Sequence, residues 1–527
     1  MTLSSVPGQR RRFALFRSKS EQTAFEGRFF ARDFHLASIG TFAYNPAAMN
    51  SRRRKILGLV LLAGLAFGLR VWVVFALSNS EAGSITFEHG RIAENLLGGR
   101  GFSIELLGGE GPTSQQAPFY PFLLAGAYAV FGVASPAAVL AVELLQCVVG
   151  TALVLAVVWL AWSLVPSRPT LGWIAGLGAA VYPTHLYMVT HLQVVVWAAL
   201  LLTLLLAVVV APNYRATRRG AVIAGILSGL LLLVEPILAI ALPVCAVAFW
   251  LYEPRRWTRA ALGRVALMAS LALVIISPWL VRGWIVHGEP VFIKSTFGYA
   301  FWQGNNPISW GTDKVPKETV PAMLADHDDS LAGMNNALWR ARHETLYIDS
   351  VALTPDDYRD LGRLSEPERC RELGRRGWQF VRANPGQYAR LCLQRLRYFL
   401  LFDETNPKAT NRIYRTATVV WLVLAFIGVL VSRSQWRALW PTYAIFGLVV
   451  LFHTLVITSV RFRIPIEPIT LLWAAASVCP LVDHMIERRL KVRRPGECPR
   501  DPFGPTHALR GPHFDMPSQS KPKRRAG

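Results

Sequence analysis

Acidic side chains are scarce in this chain: 33 Asp and Glu face 56 Lys and Arg over 527 residues, a formal charge of +23. Charged residues of both signs make up only 17%, where an ordinary soluble domain carries about 25%. Metal-type cysteine spacing is missing as well. The six cysteines (Cys147, Cys245, Cys370, Cys392, Cys479, Cys498) form no C-x-x-C or Cys/His pattern, which excludes the usual zinc frameworks. Three lie in apolar runs, where a free thiol behaves as a small hydrophobe. Cys370 and Cys392 share a polar segment, and whether they pair is left open because reach depends on Cα separation. No Gly-x-x-x-x-Gly-Lys loop occurs, so no nucleotide site is expected. No repeat of 20–50 residues appears, which excludes a solenoid. Residues 1–54 hold no apolar stretch ahead of a small-residue cleavage site, so no cleavable signal is read there.

What the chain has is hydrophobic length. Apolar and aromatic residues make up 52%, and the mean hydropathy is +0.32. Apolar runs of about 20 residues, enough for a ~30 Å hydrocarbon core, recur along it. The runs near 56–77, 138–165, 171–187, 192–211, 220–236, 238–253, 265–282, 413–432, 438–459 and 464–482 read as about ten transmembrane helices. The weakest are 171–187 and the pair around Glu235-Pro236, which also reads as one broken helix. The expected class is an all-α multi-span membrane protein.

The basic residues flank these runs rather than forming one patch: Arg52-Arg53-Arg54-Lys55, Arg215 with Arg218-Arg219, Arg255-Arg256 with Arg259 and Arg264, and Arg488-Arg489 through Arg494. Lys and Arg gather on the cytoplasmic side of membrane helices. With the N-terminus inside, every cluster falls inside and so does the C-terminal tail. The charge therefore reads as membrane orientation, and nucleic acid is not an expected partner.

Five parts follow. Residues 1–54 read as a basic, disordered cytoplasmic extension, with Met49 as an alternative start. Residues 55–282 are a transmembrane block carrying an outer loop at 79–137. Residues 283–412 are a small, mainly α outer segment, 413–484 are closing helices, and 485–527 are a basic disordered tail. The apolar stretch from Pro118 to Gly132 is too short to span comfortably and suits a juxtamembrane or re-entrant helix. Ser365-Glu366-Pro367-Glu368 is a capping-box pattern, and Asn384-Pro385 opens a further helix. On that helix Tyr388, Leu391, Cys392, Leu396 and Phe399 share a face that Arg395 interrupts.

Candidate chemistry sits in the first loop. Glu88 lies a short way past the first run, where a carboxylate can act as general base toward an acceptor hydroxyl. A solvated loop acid is the plainer account, and Glu81, Glu94, Glu105 and Glu110 share the loop. Arg282, Arg461 and Arg463 lie at the outer ends of their runs, against the positive-inside tendency. Guanidinium groups there suit a phosphate at headgroup level, or simply snorkel toward lipid headgroups, as Arg70 can from within the first run. Glu235 interrupts an apolar run, and such residues are functional candidates by default; an interfacial position is the plainer reading for it and for Glu143. His185 and His191 read as loop residues without a carboxylate partner. Asp326-His327-Asp328-Asp329 reads as a solvated turn, so no metal site and no cofactor are expected.

The residues also resemble a known family. Phe87-Glu88, Arg91-Ile92-Ala93, Leu96, Gly99, Gly101-Phe102-Ser103, Gly111-Pro112-Thr113 and Pro118-Phe119-Tyr120-Pro121 resemble the first outer loop of bacterial GT-C glycosyltransferases of the family 39-like group, related to protein O-mannosyltransferases and the lipid A aminoarabinose transferase. Pro278-Trp279 with Arg282, then Gly298 and Gly304-Asn305-Asn306, look like that group's Pro-Trp and Gly-Asn segment, with Gly283 in place of the usual Asn. Leu364-Ser365-Glu366 through Asn384-Pro385-Gly386, and Arg461-Phe462-Arg463 with Glu467-Pro468, also look familiar. The likeness spans roughly 55–485, carried by the order of the motifs rather than by any single one.

The resemblance implies a GT-C-like fold and a polyprenyl-phosphate sugar donor. It implies an inverting hexosyl or pentosyl transfer to a lipid, glycan or protein hydroxyl at the outer face of a bacterial inner membrane. It places the base at Glu88 and the donor phosphate among Arg282, Arg461 and Arg463, with Glu81 and Glu235 nearby. One departure matters: many relatives carry an Asp ahead of Ile-Ala, where this chain reads Ile85-Thr86-Phe87-Glu88, so Glu81 stays an alternative base. A transporter or flippase of lipid-linked sugars is the rival reading, although it should show paired, related halves; a non-catalytic scaffold is the third.

Overall fold

The computed structural model describes residues 46–77, 87–252, 258–328 and 330–492. The chain forms two units, Met1–Gly58 and Leu59–Gly527. Of the first, residues 46–58 are described and are helical; the site described below lies within the second.

Helices dominate. In chain order the main ones are α1 (Pro46–Leu77), α2 (Phe87–Leu97), α3 (Phe119–Phe131), α4 (Pro136–Leu164), α5 (Pro169–Val181), α6 (Val195–Val210), α7 (Arg218–Val234), α8 (Ala241–Leu251) and α9 (Arg259–His287). Then come α10 (Phe297–Gly304), α11 (Leu331–His343), α12 (Glu366–Ala383), α13 (Pro385–Leu400), α14 (Arg412–Val431), α15 (Trp436–Leu455), a turn at Val460–Arg463, and α16 (Glu467–Val492). Two small antiparallel hairpins interrupt them: β1 (Ser103–Leu106) with β2 (Gly109–Pro112), and β3 (Lys314–Val315) with β4 (Leu346–Tyr347).

Each of the ten runs coincides largely with helix, but among the described residues six helices are able by length and composition to cross a membrane: Arg52–Leu77, Pro136–Leu164, Arg259–His287, Arg412–Val431, Arg433–Leu455 and Val460–Ile486. The rest are shorter for local reasons. Run 171–187 breaks at Tyr182, which is extended (φ −65°, ψ 119°) ahead of Pro183, because proline disfavours helical backbone at the residue before it. Run 220–236 stops at Val234; Glu235 is extended (φ −144°, ψ 90°), and Pro236 starts a 3-10 turn into α8. The Pro118–Gly132 stretch is the single helix α3, ended by Gly132 at φ 95°.

Caps written in the sequence start several helices. Ser135, Thr217, Thr258 and Ser330 each accept a backbone N–H from the first turn. Glu368 reaches back to accept from the Ser365 N–H at 2.9 Å, completing the expected capping box. Where helices meet, small residues let backbones approach. Gly428 of α14 faces the Trp473 carbonyl of α16, and Gly298 of α10 faces the Cys370 carbonyl and Gly374 of α12; a Cβ at either would collide with backbone. Gly298→Ala is expected to cost about 1–3 kcal/mol through overpacking, read as earlier thermal unfolding in detergent. An unchanged melting point would mean that α10 and α12 are not packed this way.

The first loop is folded rather than open. α2 buries His89, Gly90, Ile92 and Ala93. β1 and β2 are joined by Leu107-Gly108, both at positive φ (52° and 79°), the two-residue turn that matches strand twist. Glu366, at the start of α12, ties the loop down: its carboxylate accepts from Thr113 Oγ1, from Ser114 N at 2.7 Å and from Ser295 Oγ at 2.6 Å. Cys370 and Cys392 are both free thiols.

Candidate functional site

A cavity of about 420 Å³ opens where α1, α2, α11, the 404–414 stretch and the turn before α16 converge. Its lining includes apolar side chains, among them Trp72 and Leu77 from α1, Leu331 and Met334 from α11, and Ile413 and Val460. It also includes two carboxylates, Glu88 and Asp313, and four cations, Lys314, Arg342, Lys408 and Arg461. Apolar surface together with an excess of cations suits an amphiphile whose head is an anion.

Glu88 stands in the first turn of α2, where the helix dipole favours a carboxylate. The preceding Phe87 is left-handed (φ 52°), a conformation that costs a bulky residue of order 1–3 kcal/mol. Its ring lies 4.3 Å from the Arg342 guanidinium, which also sits 5.5 Å from the Trp339 ring. Among the described residues, neither Glu88, Arg342 nor Arg461 makes a hydrogen bond or ion pair; Arg342 and Arg461 lie against aromatic rings. Three charged groups thus face one cavity with their polar valences unspent.

The other two cations are engaged. Lys314 donates to Asp313 at 2.6 Å; Lys314 and Arg461 hold the Asp313 carboxyl below its usual range against the opposing effect of burial. Lys408 donates to His191 Nε2 at 2.8 Å. Just beyond, Lys294 donates to Gln116 Oε1 at 3.0 Å; burial lowers its ammonium, while Glu235 and Glu88 draw it back up. His89 is pushed down to about 3 by burial, then by Lys294 and Arg461, so it is neutral at physiological pH.

The structure brings Glu88 and Arg461 to one cavity, with Glu235 within electrostatic reach through Lys294. Glu81 lies outside the described residues. Arg282 is elsewhere: its guanidinium donates to the carbonyls of Thr113 (2.6 Å) and Phe102 (3.0 Å) and to Ser114 Oγ (3.1 Å), and stacks on Trp279. It braces the first loop. Arg463, 2% exposed, donates to Glu467 at 2.9 Å and to the carbonyls of Phe399, Leu400 and Leu401 that end α13. Arg395 is likewise buried, stapling Gly304 and Thr454.

The two histidines read as loop residues are instead buried, His185 at 3.4 Å from Glu467 and His191 against Lys408. Lys314, Arg342 and Lys408 carry no local pattern in the sequence that marks them as site residues.

No protein-family model matches the sequence, and no curated protein matches it either. Among solved structures the chain is distantly similar to an archaeal oligosaccharyltransferase and to ArnT. One is the Archaeoglobus fulgidus oligosaccharyltransferase in the apo form, at 16% identity and TM-score 0.47, over 83% of this chain and 52% of that one. The same archaeal enzyme, AglB, with an inhibitory peptide and a dolichol-phosphate, matches at 14% identity and TM-score 0.47 over 85% and 53%. ArnT from Cupriavidus metallidurans bound to undecaprenyl phosphate matches at 15% identity and TM-score 0.37 over 82% and 80%. The chain spans about half the length of the oligosaccharyltransferase structures it matches.

Proposed function

We propose that this protein transfers a sugar from a polyprenyl-phosphate donor to an acceptor hydroxyl, at the outer face of the inner membrane of a bacterium. The observation that carries the reading is the joint placement, in one cavity with apolar lining, of a carboxylate and two guanidinium groups that have no hydrogen-bond or ion-pair partner among the described residues. The apolar lining takes the first isoprene units. Arg342 and Arg461 hold the phosphate, and their positive charge stabilises it most as the departing oxygen gains charge. Glu88 receives the acceptor proton while the hydroxyl attacks the sugar C1 from the face opposite the phosphate, which inverts that carbon.

The GT-C resemblance of the first loop points the same way. The sugar is a hexose or pentose, and the acceptor a lipid, glycan or protein; mass spectrometry of envelope glycans with and without the protein identifies both. Phosphate binding is tested directly. Arg342→Ala and Arg461→Ala are each expected to weaken undecaprenyl phosphate binding by about ten- to a hundredfold, the worth of a charge-assisted hydrogen bond, in a detergent-solubilised binding assay. Unchanged affinity in both variants would remove the donor site from this cavity.

A further inference from the structure

Lys408 has unusual company. Its Nζ donates to His191 Nε2 at 2.8 Å and stands 4.7 Å from the centre of the Tyr187 ring. The tautomer of His191 follows from its neighbour. Thr190 Oγ1 gives its single proton to the Tyr187 carbonyl at 2.9 Å, so at 3.2 Å it accepts from His191 Nδ1. The imidazole proton is therefore on Nδ1, and Nε2 offers a lone pair to the amine. The pair fits a neutral histidine, and a second proton there would set N–H against N–H.

The charged groups that act on Lys408 are cations: Arg342 from α11, Lys314 from β3 and Arg461 from the turn before α16. Of the two carboxylates that line the same cavity, Asp313 is spent on Lys314, and Glu88 stands in the first turn of α2. The Tyr187 phenol, pushed up by burial, stays protonated. Burial first, then these three cations, hold the Lys408 ammonium well below the usual lysine range. Burial first, then the Arg342 charge, hold the His191 imidazole below its usual range.

We propose that Lys408 is the proton-accepting group of this cavity, uncharged in the free protein and protonated when a phosphate dianion enters. The inference rests on the donor reading above and adds a step to it. In the transfer, the acceptor oxygen bonds to the sugar C1 as the C1–O bond to phosphate breaks, and that electron pair leaves on the phosphate oxygen. A singly charged diester becomes a doubly charged monoester, and the acceptor proton passes to Glu88. Relay of that proton to Lys408 restores the Glu88 carboxylate and sets a new positive charge beside the new negative one.

The test is calorimetric titration of farnesyl phosphate into the solubilised full chain at pH 8, in two buffers of different ionisation enthalpy. Uptake of about one proton per bound prenyl phosphate is expected, and Lys408→Arg should bind with none because guanidinium stays charged. Lys408→Met serves as a second variant should the arginine disturb folding. Binding without proton uptake in the unaltered protein, or uptake that persists in both variants, overturns the proposal and leaves the donor site standing. Absence of saturable binding overturns the donor site and this inference with it.

Discussion

Glu88→Gln should slow sugar transfer by about 10²–10⁴-fold, the usual worth of a general base, while prenyl phosphate binding stays within a few-fold. Glutamine keeps the size and one acceptor oxygen of the side chain and loses the basic site. The carboxylate is in the first turn of α2 and makes no hydrogen bond or ion pair among the described residues. No described hydrogen bond or ion pair is lost with its charge, and the variant should fold as the parent does. A transfer assay with labelled lipid-linked donor, run beside a binding assay, separates the two quantities. Loss of both binding and turnover would make Glu88 a substrate-positioning group. Full turnover would move the base elsewhere, Glu81 being the alternative that the first-loop resemblance leaves open.

How much of this was legible beforehand differs by physical scale. Membrane spans announce themselves over about 20 residues, so all ten runs found helices, although proline at 183 and 236 shortened two of them. The fold of the first loop was less visible. Glu88 was read as a loop acid, although Ile92, Ala93 and Leu96 already carry helical spacing. Leu107-Gly108 is a weaker hairpin signal than Asn-Gly, and the hairpin was missed.

The arginines show where one-dimensional reading stops. Arg461 and Arg463 are two residues apart on a helical turn, roughly 200° around it, so they cannot share a cavity. Glu467, four residues beyond Arg463, marked that arginine as an intrahelical partner. Trp279, three residues before Arg282, likewise put a ring on its face. The cavity cations Lys314, Arg342 and Lys408 come from three separate elements. Only the packing of α11 and the 404–414 stretch beside α1 brings them together.

Arg463 and Glu467 yield the largest stability effect. Both side chains are at most 2% exposed, and the pair is closed by a 2.9 Å bond. The second carboxylate oxygen faces His185 at 3.4 Å. Removing one member of a buried pair strands the other charge, at about 3–5 kcal/mol, whereas replacing both by apolar groups is often near neutral. Glu467→Ala should therefore unfold at distinctly lower temperature or denaturant in detergent, and Arg463→Leu with Glu467→Leu should recover much of the loss. The recovery has a limit, since Arg463 also caps the carbonyls of Phe399, Leu400 and Leu401. Those carbonyls lead into the stretch that carries Lys408, and Arg461 sits two residues before Arg463. Glu467→Ala should accordingly weaken prenyl phosphate binding although Glu467 does not line the cavity. If the single variant is as stable as the parent, the pair is not buried as described. If the double variant is no better than the single, the cost lies in the lost carbonyl caps rather than in the stranded charge.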